Sequence, residues 1–275
     1  RMVDGSFRAS FSLSEPDAGS DTGALRCKAE QDGDEWVING TKMWVTNGIR
    51  SSLVMLLART PDDRITCFLV EKEPGEKFEG ITASKKISKL GYRGLETVEM
   101  SYVDHRVPDT NVLGGEEGLG NGRKYALSAL ELGRINVASR AVGVAQAAFD
   151  AAMAYAQERE TFGQPIFKHQ AIQFKLAEMA TKLQAARLMT YDAAARADAG
   201  ERVDMEAGMA KLFASEAAYE IATDALRIHG GNGYTTEYPV ERYFRDTPLM
   251  IIGEGTSEIQ KMVIARKLLD RYSVE

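Results

Sequence analysis

The sequence is poor in the residues that build the simplest kinds of site. Cysteine occurs twice in 275 residues, as Cys27 and Cys67. They stand at no metal-ligand spacing, which excludes a disulfide framework and a cysteine zinc centre. Such cysteine use is expected of a reducing, intracellular compartment. Histidine occurs three times, as His105, His169 and His229, far apart in the chain. A multi-histidine metal site is therefore not expected, and acid–base chemistry is to be sought among carboxylates. The longest apolar run, residues 53–58, is far short of the roughly 20 residues of a spanning helix. The N-terminus lacks the basic-then-apolar pattern of a signal peptide, so no membrane insertion is expected. Basic residues number 34 against 40 acidic, a net charge of −6, which leaves no footprint for a phosphate backbone; nucleic acid is not an expected partner.

What is present is ordinary for a folded protein: 44% hydrophobic and 27% charged residues, enough for a sizeable core. Proline divides the chain. Pro16, Pro61, Pro74 and Pro108 punctuate the first 110 residues, then none occurs until Pro165 and none again until Pro239, and the two long gaps leave room for long helices. Before residue 115, β-rich runs at 35–39, 43–46, 53–59, 65–71 and 97–103 alternate with turn signals. They predict a mostly antiparallel barrel- or sandwich-like domain over residues 1–114. From 115 to 275, three- and four-residue apolar steps such as Leu127, Leu130, Arg134, Val137, Ala141 and Val144 predict helices at 123–160, 169–199, 206–229 and 257–272, an up-down four-helix bundle. Ser257-Glu258-Ile259-Gln260 reads as a capping box opening the last helix. The chain starts at Arg1 rather than Met, on residues that look like a domain entrance, so a preceding segment is expected.

Glycine clusters are the first places to look for chemistry. Gly118-Leu119-Gly120-Asn121-Gly122 lacks the lysine–hydroxyl pair and the strand–helix context of a phosphate loop, and reads as a linker. Gly230-Gly231-Asn232-Gly233 follows a helix; it serves either as a cap or as a place where backbone approaches a ligand closely. Glu254 lies between Gly253 and Gly255 after the apolar run 249–252. A carboxylate in an apolar wall suits a general base, while a favourable charge before a helix is the plainer alternative. Trp36 and Trp44 read as core aromatics, and Arg134 as a solvated charge.

Five blocks then fall in one order: residues 14–21 (SEPDAGSD), 42–48 (KMWVTNG), 158–163 (ERETFG), 230–234 (GGNGY), and Arg245-Asp246 with Glu254-Gly255-Thr256. In order and spacing they closely resemble the acyl-CoA dehydrogenase family, over nearly the whole chain. The resemblance implies the family's middle β domain and C-terminal four-helix bundle, with its N-terminal helical domain missing. It implies FAD as cofactor, with Phe11, Leu13 and Ser14 at the flavin ring and Trp44 and Thr46 closing its other side. Arg159, Phe162 and Gln170 resemble residues that reach the FAD of a neighbouring subunit. Arg227 and Gly231 resemble the pyrophosphate segment, and Thr256 and Glu258 further dinucleotide contacts. A homo-oligomer, a dimer of dimers, is thereby implied.

Glu254 resembles the family's catalytic base, taking the α-proton of an acyl-CoA thioester while hydride leaves the β-carbon for the flavin. Another branch carries its base at the position held here by Gly133. Glu131, Arg134 and Ser20 resemble contacts to the CoA chain. Leu95 stands where many relatives have serine, Gly253 where some have an aromatic, and Arg227 where several have glutamine. The implied activity is an acyl-CoA dehydrogenase passing electrons to an electron-transfer flavoprotein, cytoplasmic in a bacterium or in the mitochondrial matrix of a eukaryote. The alternatives are an acyl-CoA oxidase or another flavoenzyme of the superfamily that uses oxygen, and a non-catalytic or truncated structural subunit of the same fold.

Overall fold

The structure, a computed structural model, describes residues 1–272, with the backbone alone at residue 62. The chain forms two compact units, one of residues 1–89 and 93–128, the other of residues 90–92 and 129–275.

The first unit is a β domain. Its strands are β1 (Ala9–Ser12), β2 (Lys28–Asp32), β3 (Glu35–Thr46), β4 (Leu53–Thr60), β5 (Arg64–Glu71), β6 (Lys77–Phe78), β7 (Ile81–Ala83) and β8 (Thr97–Pro108). They join in the order β1-β4-β2-β3-β8-β7-β6, with β5 on β4. Pairing is antiparallel except where β1 and β2 meet β4. The runs at 35–39 and 43–46 prove to be one strand, broken in register against β8 at Ile38/Gly40 and again at Lys42/Val45. Such bulges re-aim side chains, and the second one carries Trp44. Strands β1 and β2 escape the sequence pattern because they are short and β2 is charged. Its one buried residue, Ala29, is too small to mark a core face. Trp36 is core, packed on Phe68 and donating its indole N–H to Asp109 Oδ1 at 2.7 Å.

The second unit is helical: α1 (Gly122–Glu158, whose first turns belong to the β unit), α2 (Gln170–Asp198), α3 (Asp204–His229), α4 (Val240–Asp246), α5 (Pro248–Ile252) and α6 (Ser257–Arg271). A hairpin of β9 (Glu160–Thr161) and β10 (Gln164–Pro165) joins α1 to α2. The four long helices fall where the periodicity predicts them. The stripe that α1 buries differs, because it is alanine at Ala138, Ala141, Ala145, Ala148 and Ala152, while Leu127 is exposed. Alanine on a 3-4-3-4 spacing lets neighbouring helices approach closely, and ridge-and-groove packing then favours small residues over leucine. Helices α4 and α5 were hidden because each is too short to display a period, and prolines 239 and 248 read as breaks although they open helices.

Candidate active site

Between α5 and α6 the chain makes a sharp turn that presents Glu254. Both Glu254 (φ 58°) and Gly255 (φ 86°) are left-handed. For a residue with a side chain this conformation costs on the order of 1–2 kcal/mol, and such strain concentrates at functional positions. The carboxylate of Glu254 lies against α1: a Cβ built on Gly133 would stand 2.5 Å from Glu254 Oε2. The space that a side chain at 133 would fill is thus occupied by the carboxylate.

The surroundings are less apolar than residues 249–252 suggest, since Leu249 and Ile252 are largely exposed. Two buried cations feel the charge of Glu254 instead. Arg134 is 6% exposed, not a solvated charge, and its Nε has no partner. Burial pushes its pKa down, opposed by Asp204, Glu131 and Glu254. Lys211 of α3 is fully buried and pushed down to about 8 by desolvation, opposed by Glu216, Glu254 and Glu258. Glu131 accepts the backbone N–H of Val203 at 2.7 Å, so it braces the start of α3.

Helix α6 is capped one residue earlier than the sequence suggests. Thr256 is the N-cap, its Oγ1 accepting from Ile259 N at 3.3 Å, whereas the Ser257 hydroxyl is buried without a partner. Gln260 turns back and donates to Glu254 O at 3.2 Å and Gly255 O at 2.9 Å. A box at 257–260 would need Gln260 to reach the backbone of its own first turn, and the strained turn before it takes the amide instead. Glu258 points to solvent.

In the β unit, the flavin-type residues come together. Met43 N–H donates to Ser14 O at 2.8 Å and Lys42 Nζ to Leu13 O at 2.9 Å, which lays residues 13–14 beside Trp44. Trp44 is not core: it is left-handed (φ 62°) and 57% exposed, held outward by the bulge. Thr46 is exposed, Phe11 half-buried on β1, and Ser20 lies on an exposed turn.

A second group in the helical unit gathers around Tyr155. Asn232 Nδ2 donates to Tyr155 Oη at 2.9 Å, and His229 stacks on the Tyr155 ring at 4.2 Å. Arg159 follows Tyr155 by one turn, and Phe162 (φ 52°) stands on the hairpin, 96% exposed. Gln170 opens α2, and Arg227 lies exposed in the last turn of α3. The glycine run divides its work: Gly230 caps α3, Gly233 packs on the Leu226 carbonyl, and Gly231 faces open space. The three histidines have local partners, His105 with Glu79 O, His169 with Thr161 and His229 with Ala225 O. Among the described residues no group of three or more His, Cys, Asp or Glu could hold a metal, and no helix is long and apolar enough to cross a membrane.

Lys211 belongs to no motif in the sequence, and Gln260 reads there only as the end of the capping box, so neither points to the turn. A signal does exist in their phase: Lys211 sits in register with the buried Ala207, Ala210, Ala214 and Ala218 of α3, which places an ammonium on a core-facing stripe.

Comparison with known proteins bears on both parts of the chain. Residues 10–105 match the acyl-CoA dehydrogenase middle domain and residues 120–269 the acyl-CoA dehydrogenase C-terminal domain. The chain is 45% identical over 266 residues to a probable acyl-CoA dehydrogenase of Mycobacterium tuberculosis, covering 95% of this chain and 67% of that protein. It is 47% identical over 266 residues to the mitochondrial short-chain specific acyl-CoA dehydrogenase of Rattus norvegicus, covering 95% of this chain and 63% of that one. The solved butyryl-CoA dehydrogenase of Megasphaera elsdenii aligns with a TM-score of 0.92 at 39% identity, over 98% of this chain and 70% of that one. The chain belongs to the acyl-CoA dehydrogenase family.

Proposed function

We propose that this chain carries the α,β-dehydrogenation of an acyl-CoA thioester to a trans-2-enoyl-CoA, with Glu254 as the base. The observation that carries it is the Glu254 carboxylate, held in a strained turn against the bare face of α1 at Gly133. The carboxylate takes the α-proton, the electron pair of that C–H bond becomes the second bond of the new C=C, and the pair of the β-C–H bond leaves with the hydride. Among the described residues the backbone N–H of Glu254 has no partner, so it is free to donate to the thioester oxygen and stabilise developing enolate charge. Arg134 and Ser20 are read as contacts to the CoA chain, and Glu131, tied to Val203, as the brace of that wall.

The residues fit FAD. An outward indole at Trp44 beside Leu13, Ser14 and Thr46 matches a ring with one apolar face and a polar edge. Arg159, Arg227 and the open Gly231 match a pyrophosphate, with Gln170, Thr256, Glu258, Phe11 and Phe162 as further contacts. FAD bound there supplies a hydride acceptor. The exposed Phe162, Phe174 and Tyr191 are apolar surface suited to a second copy of the chain, in a homo-oligomer with shared cofactor sites. A soluble electron-transfer flavoprotein is the proposed electron acceptor, and an intracellular location, bacterial cytoplasm or mitochondrial matrix, accords with the named relatives.

Anaerobic titration of the FAD-loaded protein with butanoyl-, octanoyl- and isovaleryl-CoA tests the proposal. At least one is expected to bleach the flavin stoichiometrically; no bleaching by any would overturn the assignment. Slow recolouring in air is expected of a dehydrogenase, and recolouring within turnover time would assign an oxidase.

Gly133→Ala isolates the placement of the carboxylate. Alanine in a helix interior is favoured over glycine by about 1 kcal/mol, so the melting temperature should hold or rise. The new methyl displaces the far end of Glu254, and a misplacement near 1 Å costs about a hundredfold in turnover. Unchanged turnover in this variant would separate Glu254 from the chemistry.

A further inference from the structure

We propose that Lys211 and Gln260 are positioning residues for Glu254, clamping the carbonyls of the turn that holds the base in its left-handed conformation.

Left-handed backbone at a glutamate does not persist by itself; surrounding bonds must over-determine it. Among the described residues, every bond to the carbonyls of Glu254 and Gly255 comes from these two side chains. Lys211 Nζ, from the middle of α3, donates to Ile251 O at 3.2 Å and Gly255 O at 2.8 Å, reaching the carbonyls on either side of Glu254. Gln260 Nε2, from the first turn of α6, donates to Glu254 O at 3.2 Å and Gly255 O at 2.9 Å. Three acceptors, Ile251 O, Glu254 O and Gly255 O, are thereby tied to two different helices. Both clamping side chains are fully buried, so water does not compete for the carbonyls.

Neither residue is placed as stability alone would place it. Lys211 is an ammonium on the alanine-lined face of α3, where an apolar side chain would avoid the desolvation that lowers its pKa. Gln260 leaves its own Oε1 buried without a partner while both of its bonds go to the turn. The opposite side of the base is closed by Gly133, so the carboxylate is bounded by α1 and its backbone by α3 and α6. The geometry therefore resembles a supporting shell in which the reacting group is fixed by neighbours that never touch the substrate.

The inference rests on the assignment of Glu254 as base, and the test separates the two. In the FAD-loaded protein, Lys211→Met and Gln260→Leu are compared with wild type and with Glu254→Gln. Four readouts are taken: kcat, KM, flavin content, and exchange of the α-protons of 3,3-dimethylbutanoyl-CoA with D2O. That thioester has no β-hydrogen, so its exchange reports the base without hydride transfer. A loosened base should lower kcat by between about ten- and a hundredfold in each clamp variant, with KM and flavin content near wild type and exchange slowed in parallel. Wild-type kcat and exchange in both clamp variants, beside an inactive Glu254→Gln, would overturn the clamp and leave the base assignment standing. Wild-type turnover in Glu254→Gln would overturn the base assignment and the clamp with it. If Lys211→Met does not fold, Gln260→Leu decides alone, because it removes two bonds to the turn from a different helix.

Discussion

Glu254→Gln is expected to lower turnover by about 10²–10⁴-fold, the usual contribution of a positioned general base, while the flavin remains bound. Glutamine has nearly the same shape, so it keeps the contact with Gly133 and the bonds from Gln260 and Lys211, which all fall on backbone carbonyls. Only the capacity to accept a proton is lost. The substitution also removes a negative neighbour from two buried cations: Arg134 keeps Asp204 and Glu131, and Lys211 keeps Glu216 and Glu258. Burial lowers Lys211 from the ordinary 10.5 to about 8. Between those values the unfolded chain holds the proton that the folded chain has released, so folding stability rises with pH across that window. Below it the penalty of burying the ammonium is fully present. With Glu254 neutral, Lys211 is lowered further, and the rise in stability should begin at a lower pH than in wild type. Equilibrium denaturation from pH 6 to 10, beside steady-state turnover, checks both parts. Turnover within threefold of wild type would remove Glu254 from the chemistry.

Much of the architecture was legible from composition and period. The long helices announced themselves because alanine-rich stretches without proline have few other options, and the Leu53–Thr60 and Arg64–Glu71 strands because their apolar runs end at turn residues. Legibility failed where meaning depended on partners distant in sequence. Trp44 reads as core until the register shift at Lys42/Val45 turns its indole outward. Arg134 reads as a solvated charge because its own helix, which supplies Glu131, cannot reveal its burial or the nearby Asp204 and Glu254. The box at 257–260 has the right residue types, yet the strained carbonyls before it compete for Gln260, and Thr256 takes the cap. In each case local propensity was outweighed by a contact at or beside the site, which is where such conflicts are expected.

Lys42→Met is expected to destabilise the β unit by about 3–5 kcal/mol, the cost of leaving a buried charge without its partner. That is a large share of the 5–15 kcal/mol on which a typical domain rests. Lys42 is fully buried, and its Nζ donates to Glu15 Oε1 at 2.8 Å and Leu13 O at 2.9 Å. Burial lowers the pKa of this ammonium, and Glu15 opposes the shift. Glu15 in turn accepts the N–H groups of Arg26 at 2.6 Å and Cys27 at 3.0 Å, so one carboxylate joins three chain segments. Methionine fills the volume of lysine but leaves Glu15 with two amide donors and no cation, and Leu13 O with no donor. Because Leu13 and Ser14 lie beside Trp44 through this same network, flavin content should fall together with the melting temperature. Adding Glu15→Gln to Lys42→Met should restore part of the loss, since a neutral amide needs no counter-charge, although its NH2 group then meets one of the two backbone donors. The double-mutant cycle therefore gives a coupling of opposite sign to the two single losses. Thermal melts and flavin absorbance of the three variants read it directly. Simple additivity of the single effects would mean that the pair is not acting as a unit, and that residues 13–14 are held beside Trp44 by the Met43–Ser14 backbone bond alone.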